Sequence, residues 1–359
     1  MEDGQPVLGS LYVYAPNKGA PIFFVIAFGA SAVGHIWQCI HYKSWKLIGL
    51  HPVCAVVFTA GYALREYGAY GNYLYSTRNL LIYIFSQVSI YICPPLLELS
   101  NYHILGRIFY YIPSLAPLPP GRVMSTFGGV MAIVELLNAL GVALAANPSS
   151  THEKQALGSH LTIAALAIQL VAICIFIALA SIFHRRYFSK RVITPLTTLY
   201  ISMALIFIRC LYRMVEHTSG GTTVRLNNLD ALKSLSPLKR YEWYFYVFEA
   251  TLMLANSVLW NVWNPGRYLP RSQHVYLAED GVTELEDEHA KKDDRSFMEK
   301  VGNVLTFGLL FRRKRGADTL GVQFQENAKR DDRLDSDWKK CLGLLLWRIQ
   351  CNANTSDIG

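Results

Sequence analysis

The chain has 359 residues, 52% hydrophobic and only 17% charged, with a formal net charge of +8 and a mean hydropathy of +0.22. A soluble domain carries about 25% charged residues, and the deficit here is concentrated: residues 1–266 hold 18 Lys/Arg and 10 Asp/Glu, whereas 267–359 hold 16 of each. A charge-poor body bearing the whole positive balance, followed by a charge-dense neutral tail, excludes an ordinary cytosolic enzyme. It also argues against a nucleic-acid partner, because the basic residues of the body flank apolar runs.

Residues 1–20 lack the basic region and apolar core of a cleavable signal, which leaves the first apolar run as an uncleaved anchor behind an extracellular N-terminal segment. A bilayer core needs about 20 mostly apolar residues per helix. Seven stretches qualify: 22–40, 47–64, 80–99, 124–146, 161–183, 196–215 and 243–262. The expected fold class is therefore an all-α polytopic membrane protein, a seven-transmembrane helix bundle occupying 21–266. Pro94 and Pro95 interrupt the third stretch and should kink it, and Asn147-Pro148-Ser149-Ser150 reads as the turn between the fourth and fifth.

Seven spans place the termini on opposite sides. The loop from His184 to Arg191 carries four Lys/Arg, and Lys43, Lys46, Arg267 and Arg271 fall on the same face, which the positive-inside rule makes cytoplasmic. The longer sixth-to-seventh loop, with Arg225, Lys233, Lys239 and Arg240 spread along it, weighs less. The N-terminus is expected outside and the C-terminus in the cytoplasm. The tail, 267–359, reads as charged and largely disordered. Within it, 297–311 sets Val301, Val304, Leu305 and Leu309 among polar residues before Arg312-Arg313-Lys314-Arg315, the pattern of an interfacial helix on an anionic leaflet or of a solvated charge run. The seven cysteines make no CxxC, so neither a disulfide framework, a metal site nor a cofactor is expected.

Ionisable residues inside a membrane are costly, roughly 2.5–3.5 kcal/mol each at the centre on insertion scales, and need partners. The sixth span holds Arg209, Tyr212, Arg213 and Glu216 on one helical face, at spacings of three, four and seven. The seventh holds Glu242, Tyr246, Glu249 and Asn256 at four, three and seven. Counting inward from Glu216 and Glu242, Arg209 and Glu249 reach one depth, about 10 Å below the outer rim. They are expected to pair, with Arg213 beside Glu216 and Glu242 above them. The arrangement reads either as a pin between two helices or as a polar chamber for an amphiphile's head group. Glu135 and Asn138 on the fourth span share a face and could reach the chamber. Glu98 reads as interfacial, and His35 as a hydrogen-bonded packing residue.

These landmarks resemble a known family. Tyr14-Ala15-Pro16, His35, Gly61-Tyr62 with Arg65, Pro94, Tyr102 to Arg107, Gln169 and Phe183 to Arg186 come first. Then follow Arg209-x-x-Tyr212-Arg213-x-x-Glu216 with Gly220, Glu242-Trp243, Tyr246-Val247-Phe248-Glu249 and Pro265-Gly266. In this order and spacing they are similar to the fungal lipid-translocating exporters, RTA-like proteins of seven spans. The resemblance covers about residues 12–269. It departs at Phe58 and Met131, where the family pattern carries acids, and at Asn138, Glu249 and Asn264, where it carries Gln, Asp and His. Glu135 lies one turn beyond Met131.

The resemblance implies a multi-pass protein of the fungal plasma membrane that moves amphiphiles, or controls their flux: sphingoid bases, lipids or toxic amphiphilic drugs. Its partners would be membrane lipids or amphiphilic small molecules, and no catalytic residue is assigned. A seven-span receptor for a lipid-like ligand, signalling through the tail, is the alternative. No span contains the Lys that a retinal Schiff base requires, and no HExxH or Gly-x-Ser-x-Gly supports an intramembrane enzyme.

Overall fold

The computed structural model describes residues 5–113, 116–117, 120–145, 152–186, 190–219, 232–270, 275–277 and 284–286, all in the first of the two units into which the chain divides, Met1–Leu310. The expected turn at 147–150, the Gly220 landmark, the segment at 297–311 and the basic cluster at 312–315 lie outside them. The described residues are mostly helical. In chain order they form α1 (Ala20–His41), α2 (Trp45–Ile48), α3 (Leu50–Ala69), α4 (Thr77–Tyr111), α5 (Pro120–Ala145), α6 (His152–Arg186), α7 (Lys190–Thr218), α8 (Pro237–Arg240), α9 (Glu242–Phe245), a π-helical turn (Tyr246–Thr251) and α10 (Leu252–Val262).

Among the described residues, five segments are long and apolar enough to cross a membrane: Ala20–His41, Thr77–Tyr111, Val123–Leu144, Glu153–Arg185 and Val192–Thr218. The two other stretches expected to span are helical but fall outside that set, for identifiable reasons. Helix α3 carries His51, Arg65 and Glu66 along its length, and the last helical stretch is divided by the π turn.

The helices close into a ring. Helix α1 packs on α3, α3 on α4, α4 on α5, α5 on α6 and α6 on α7; α7 meets α10, which returns to α1 and α3, while α4 also touches α7 across the ring. The usual distribution of polarity is turned outward. On α1, Phe23, Ile26, Val33, Trp37 and Ile40 are each 59–69% exposed, while His35 and Gln38 are buried. An exposed apolar stripe of this extent would be a liability in water and is what a hydrocarbon solvent requires, with polar groups turned inward to find partners.

Helix α4 continues through Pro94 and Pro95 for 35 residues, although neither proline can donate to the carbonyl four residues before it. Beside the break, thiols of neighbouring helices take up carbonyls: Cys93 Sγ donates to Cys54 O at 3.5 Å and Cys54 Sγ to Cys93 O at 3.7 Å. The α3–α4 contact is tight at Gly61, where an added Cβ would lie 2.9 Å from Ile90 Cγ1 and 3.1 Å from Ser89 Cβ. There Ser86 Oγ also donates to the Gly61 carbonyl at 2.8 Å.

Past α10 the chain stays against the bundle for a further stretch. A 3-10 turn (Pro265–Arg267) follows and Leu269 is buried. Strand β1 (Val275–Leu277) then pairs antiparallel with β2 (Glu284–Glu286), with Tyr111 donating to Glu284 at 2.8 Å. Two apolar side chains, Leu269 and Leu277, carry this segment into the core.

Candidate functional site

The buried polar residues between α1, α3, α4, α7 and the last helical stretch fall into tiers. At the tier nearest the N-terminal segment stands Arg65 of α3, only 1% exposed. Its Nη2 donates to Glu242 Oε1 at 2.8 Å and to the Tyr14 hydroxyl at 2.9 Å, and its Nε donates to the Tyr246 hydroxyl at 3.2 Å. Tyr246 in turn donates to Glu242 Oε1 at 3.0 Å. The guanidinium lies 4.3 Å from the Phe245 ring centre and 4.7 Å from that of Tyr12. The free carboxylate oxygen, Oε2, accepts from the Asn17 backbone N–H at 2.7 Å, while the Asn17 side chain caps α1 through Gly19 and Ala20. The N-terminal segment is thus fastened across one end of the helices. Burial pushes the Tyr14 phenol well above the ordinary tyrosine range, against the opposing pull of Arg65, so it holds its proton; its oxygen accepts from Arg65 because a guanidinium has only donors.

One tier inward, Arg209 of α7 meets Glu249. Arg209 Nε and Nη2 lie 2.9 and 2.7 Å from Glu249 Oε1, and both side chains are almost wholly buried, 5% and 0% exposed. Both nitrogens converge on one oxygen, so the fork is not a two-oxygen clamp. Glu249 Oε2 has no partner. Glu249 lies inside the π turn, a widened turn that occurs often at functional positions. The Tyr62 hydroxyl, an electrostatic neighbour of Glu249, is likewise buried without a partner; so are both polar atoms of the Asn256 side chain, about two turns further along the last helical stretch. A buried unpaired polar group in hydrocarbon costs several kcal/mol, so this tier keeps unused hydrogen-bonding capacity.

Beside it, Arg213 bonds Glu216 at 2.6 Å and lies 4.2 Å over the Tyr91 ring of α4. Tyr212 stacks on Phe248 at 5.3 Å. Below, α1 is stitched to α10. Ser31 and Ser257 share a bond at 2.6 Å, His35 Nε2 meets Ser257 Oγ at 3.2 Å, and Asn264 donates to Gln38 at 2.5 Å.

The structure joins Arg209 to Glu249 and Arg213 to Glu216, and places Tyr212 beside them. It corrects two placements. Glu242 belongs to Arg65 rather than to Arg213, because Arg65 enters from α3 at the same height and its planar fork takes both Glu242 and Tyr246. Glu98 is not interfacial: it is fully buried, accepting from Tyr102 and, at 2.6 Å, from Gln169. Glu135 and Asn138 are half-buried on α5, and no hydrogen bond or ion pair among the described residues joins them to Arg209 or Glu249. Sequence reasoning named Arg65, Tyr102 and Gln169 as landmarks and missed their roles. For Arg65 the available signal was the one that found Arg209, a cation inside an apolar stretch; the neutral Tyr102 and Gln169 offered none.

With this geometry in hand, comparison with known proteins is specific. The family described as RTA1 like protein matches residues 52–272. The chain is 54% identical to the lipid-translocating exporter-like protein RTA1 of Leptosphaeria maculans, over 86% of this chain and 60% of that protein. It therefore spans about 60% of that relative's length. It is 28% identical to the protein of the same name from Ajellomyces capsulatus, over 65% of this chain and 74% of that one. With the protein named "Probable lipid transporter atnI" of Emericella nidulans the identity is 23%, over 73% and 69% of the two chains. No solved structure matches.

Proposed function

The chain belongs to the RTA1-like family of multi-pass membrane proteins, and from that premise we propose that it moves amphiphiles across or out of a fungal plasma membrane, or controls their flux. We read the helical stretches as seven spans, with the N-terminus outside and residues 267–359 as a cytoplasmic tail. The cargo classes in view are sphingoid bases, lipids and toxic amphiphilic drugs, all with a polar head that needs a partner inside the bilayer.

The observation that carries this reading is the Arg209–Glu249 pair with its open carboxylate oxygen. A pair whose only task was to hold α7 against the last helical stretch would be best served by using both oxygens. Here one oxygen and the neighbouring Tyr62 hydroxyl remain unused, with the Asn256 amide about two turns further along, on helices whose outer surfaces are apolar. A head group entering laterally could take those bonds while its chain stays in lipid. Tyr212, Arg213 and Glu216 line the approach from the outer side, and Glu135 and Asn138 remain candidates from α5.

The test is flux of a fluorescent long-chain base in vesicles reconstituted with the full chain. Glu249→Gln and Arg209→Gln should each lower the protein-dependent rate at least tenfold. Because either change strands a buried partner, the double variant Arg209→Met/Glu249→Leu is measured beside them. If the double variant regains both stability and flux, the pair is only a pin and the proposal is wrong. Stability regained with flux still lost supports a polar station.

A further inference from the structure

Three of the buried or half-buried acids of the bundle have an arginine: Glu242 has Arg65, Glu249 has Arg209 and Glu216 has Arg213. Glu98 has none. It is 0% exposed, sits on α4 one turn beyond Pro94 and Pro95, and its two oxygens accept from the neutral donors Tyr102 O–H and Gln169 N–H. No cation among the described residues lies within ion-pair distance of it. Tyr102 is held against Phe127 and Phe176, with ring centres 4.8 and 5.1 Å away, so the surroundings offer no water-like solvation.

The charges around it do not balance. The titratable and charged groups facing Glu98 are Tyr102 on its own helix, Glu135 from α5, and Arg209 and Cys210 from α7. Helix α6 contributes only the neutral Gln169, and the arginine of α3 is committed to Glu242. Arg209 is already matched by Glu249. Glu98 and Glu135 thus add two carboxyl groups to a region with no remaining positive charge. Burying an uncompensated carboxylate is costly, yet two donors aimed at its oxygens favour the ionised form. A buried acid on which these contributions oppose one another, with no cation to settle its charge, is a group that can gain and lose a proton reversibly. The carboxyl is wholly buried, and both its oxygens are already taken up by Tyr102 and Gln169.

We infer that Glu98, with Tyr102 and Gln169, is a proton-exchanging site in the half of the bundle away from Arg65, separate from the Arg209–Glu249 station but linked to it through Arg209, the charged neighbour common to both. This goes beyond the translocation reading and does not depend on the cargo.

The experiment is infrared spectroscopy of the full chain in vesicles of uncharged lipid, following the C=O stretch of protonated carboxyl groups through a pH series without any amphiphile. Wild-type protein should show a titrating carboxyl band that Glu98→Gln removes and Glu135→Gln retains. Tyr102→Phe, which keeps the ring and deletes one donor to the carboxylate, should move the midpoint upward by about one pH unit. A titrating band that is the same in wild type and in Glu98→Gln would overturn the inference, as would a midpoint unmoved by Tyr102→Phe. Because the readout needs no transport, it can succeed or fail whether or not the vesicles move a long-chain base.

Discussion

Arg65 and Glu242 stand 177 residues apart in the chain and 2.8 Å apart in space. The contact joins α3 to the start of the last helical stretch and, through Tyr14 and the Asn17 backbone, fastens the N-terminal segment over both. Removing one member leaves the other buried without its counter-charge, which typically costs 3–5 kcal/mol, whereas replacing both by apolar residues of similar volume is often neutral. Arg65→Met should therefore lower thermal stability in micelles by about 3–5 kcal/mol, and Arg65→Met/Glu242→Leu should recover most of it. Arg65→Lys should fall between, because one ammonium cannot reach Tyr14, Tyr246 and Glu242 in the plane that the guanidinium uses. Equal stability of the single and double variants would show that the pair holds nothing together.

The N-terminal segment offers a second, geometric test. Ser10 pairs with Leu74 in an isolated antiparallel bridge, flanked by the Leu11 N–H bond to Tyr73 O and the Tyr75 N–H bond to Gly9 O. That makes Ser10 and Leu74 a non-hydrogen-bonded pair, with Cα atoms about 4.5 Å apart, inside the range a disulfide tolerates. Ser10→Cys/Leu74→Cys should oxidise spontaneously, as read by loss of maleimide labelling. By closing a loop of roughly 65 residues it could add up to about 4 kcal/mol, less about 1 kcal/mol for each lost bond of the Ser10 hydroxyl to Tyr14 O and Tyr12 N. Failure to oxidise would mean the segment does not lie where the bridge places it.

How much of this could be read from the chain depends on the physics behind each feature. Arg209 and Glu249 were legible because a charge in an apolar stretch demands a partner, and helical rise converts residue spacing into depth. The same argument applied to Arg65 and Glu242 could not choose a partner, since it says how deep a residue lies but not which helix stands beside it. The ring order, with α3 and not α7 facing Glu242, is a tertiary fact. Glu98 was misplaced because its neighbours Tyr102 and Gln169 are neutral, and neutral donors leave no charge pattern to match. The π turn around Glu249 has no residue signature in Tyr246–Thr251; it is visible only once the backbone bonds are laid down. Leu269 and Leu277 were hidden by the charge-rich composition of the tail around them.

Packing between α3 and α4 sets a third expectation. At Gly61 a methyl group would enter within 2.9 Å of Ile90 Cγ1, and Ile90 is itself fully buried. Gly61→Ala should cost about 1 kcal/mol if Ile90 can rotate away, and Gly61→Val about 1–3 kcal/mol, since overpacking forces side chains off their rotamers and helices apart. The companion change Ile90→Ala in the Gly61→Val background should return part of the loss by making room, a non-additivity that thermal unfolding of the four proteins of the cycle would measure. Simple additivity would place the two residues out of contact.

Exposure separates the two ion pairs of α7. The Arg213 and Glu216 side chains retain 15% and 19% of their accessible surface, against 5% and 0% for Arg209 and Glu249. With Glu216 read at the outer rim of the bundle, water and salt reach the first pair, so its attraction is screened and its desolvation is incomplete; neighbouring i,i+3 pairs of this kind contribute about 1 kcal/mol or less. Arg213 also keeps its place over the Tyr91 ring when Glu216 is neutralised. Glu216→Gln should therefore lower stability by no more than about 1 kcal/mol, with a cost that shrinks as salt is raised. Glu249→Gln should cost about 3–5 kcal/mol at any ionic strength, because its partner stays buried and unpaired. Unfolding both variants in micelles at low and high salt distinguishes the two cases. A salt-sensitive Glu249 variant would mean that solvent reaches the interior pair after all.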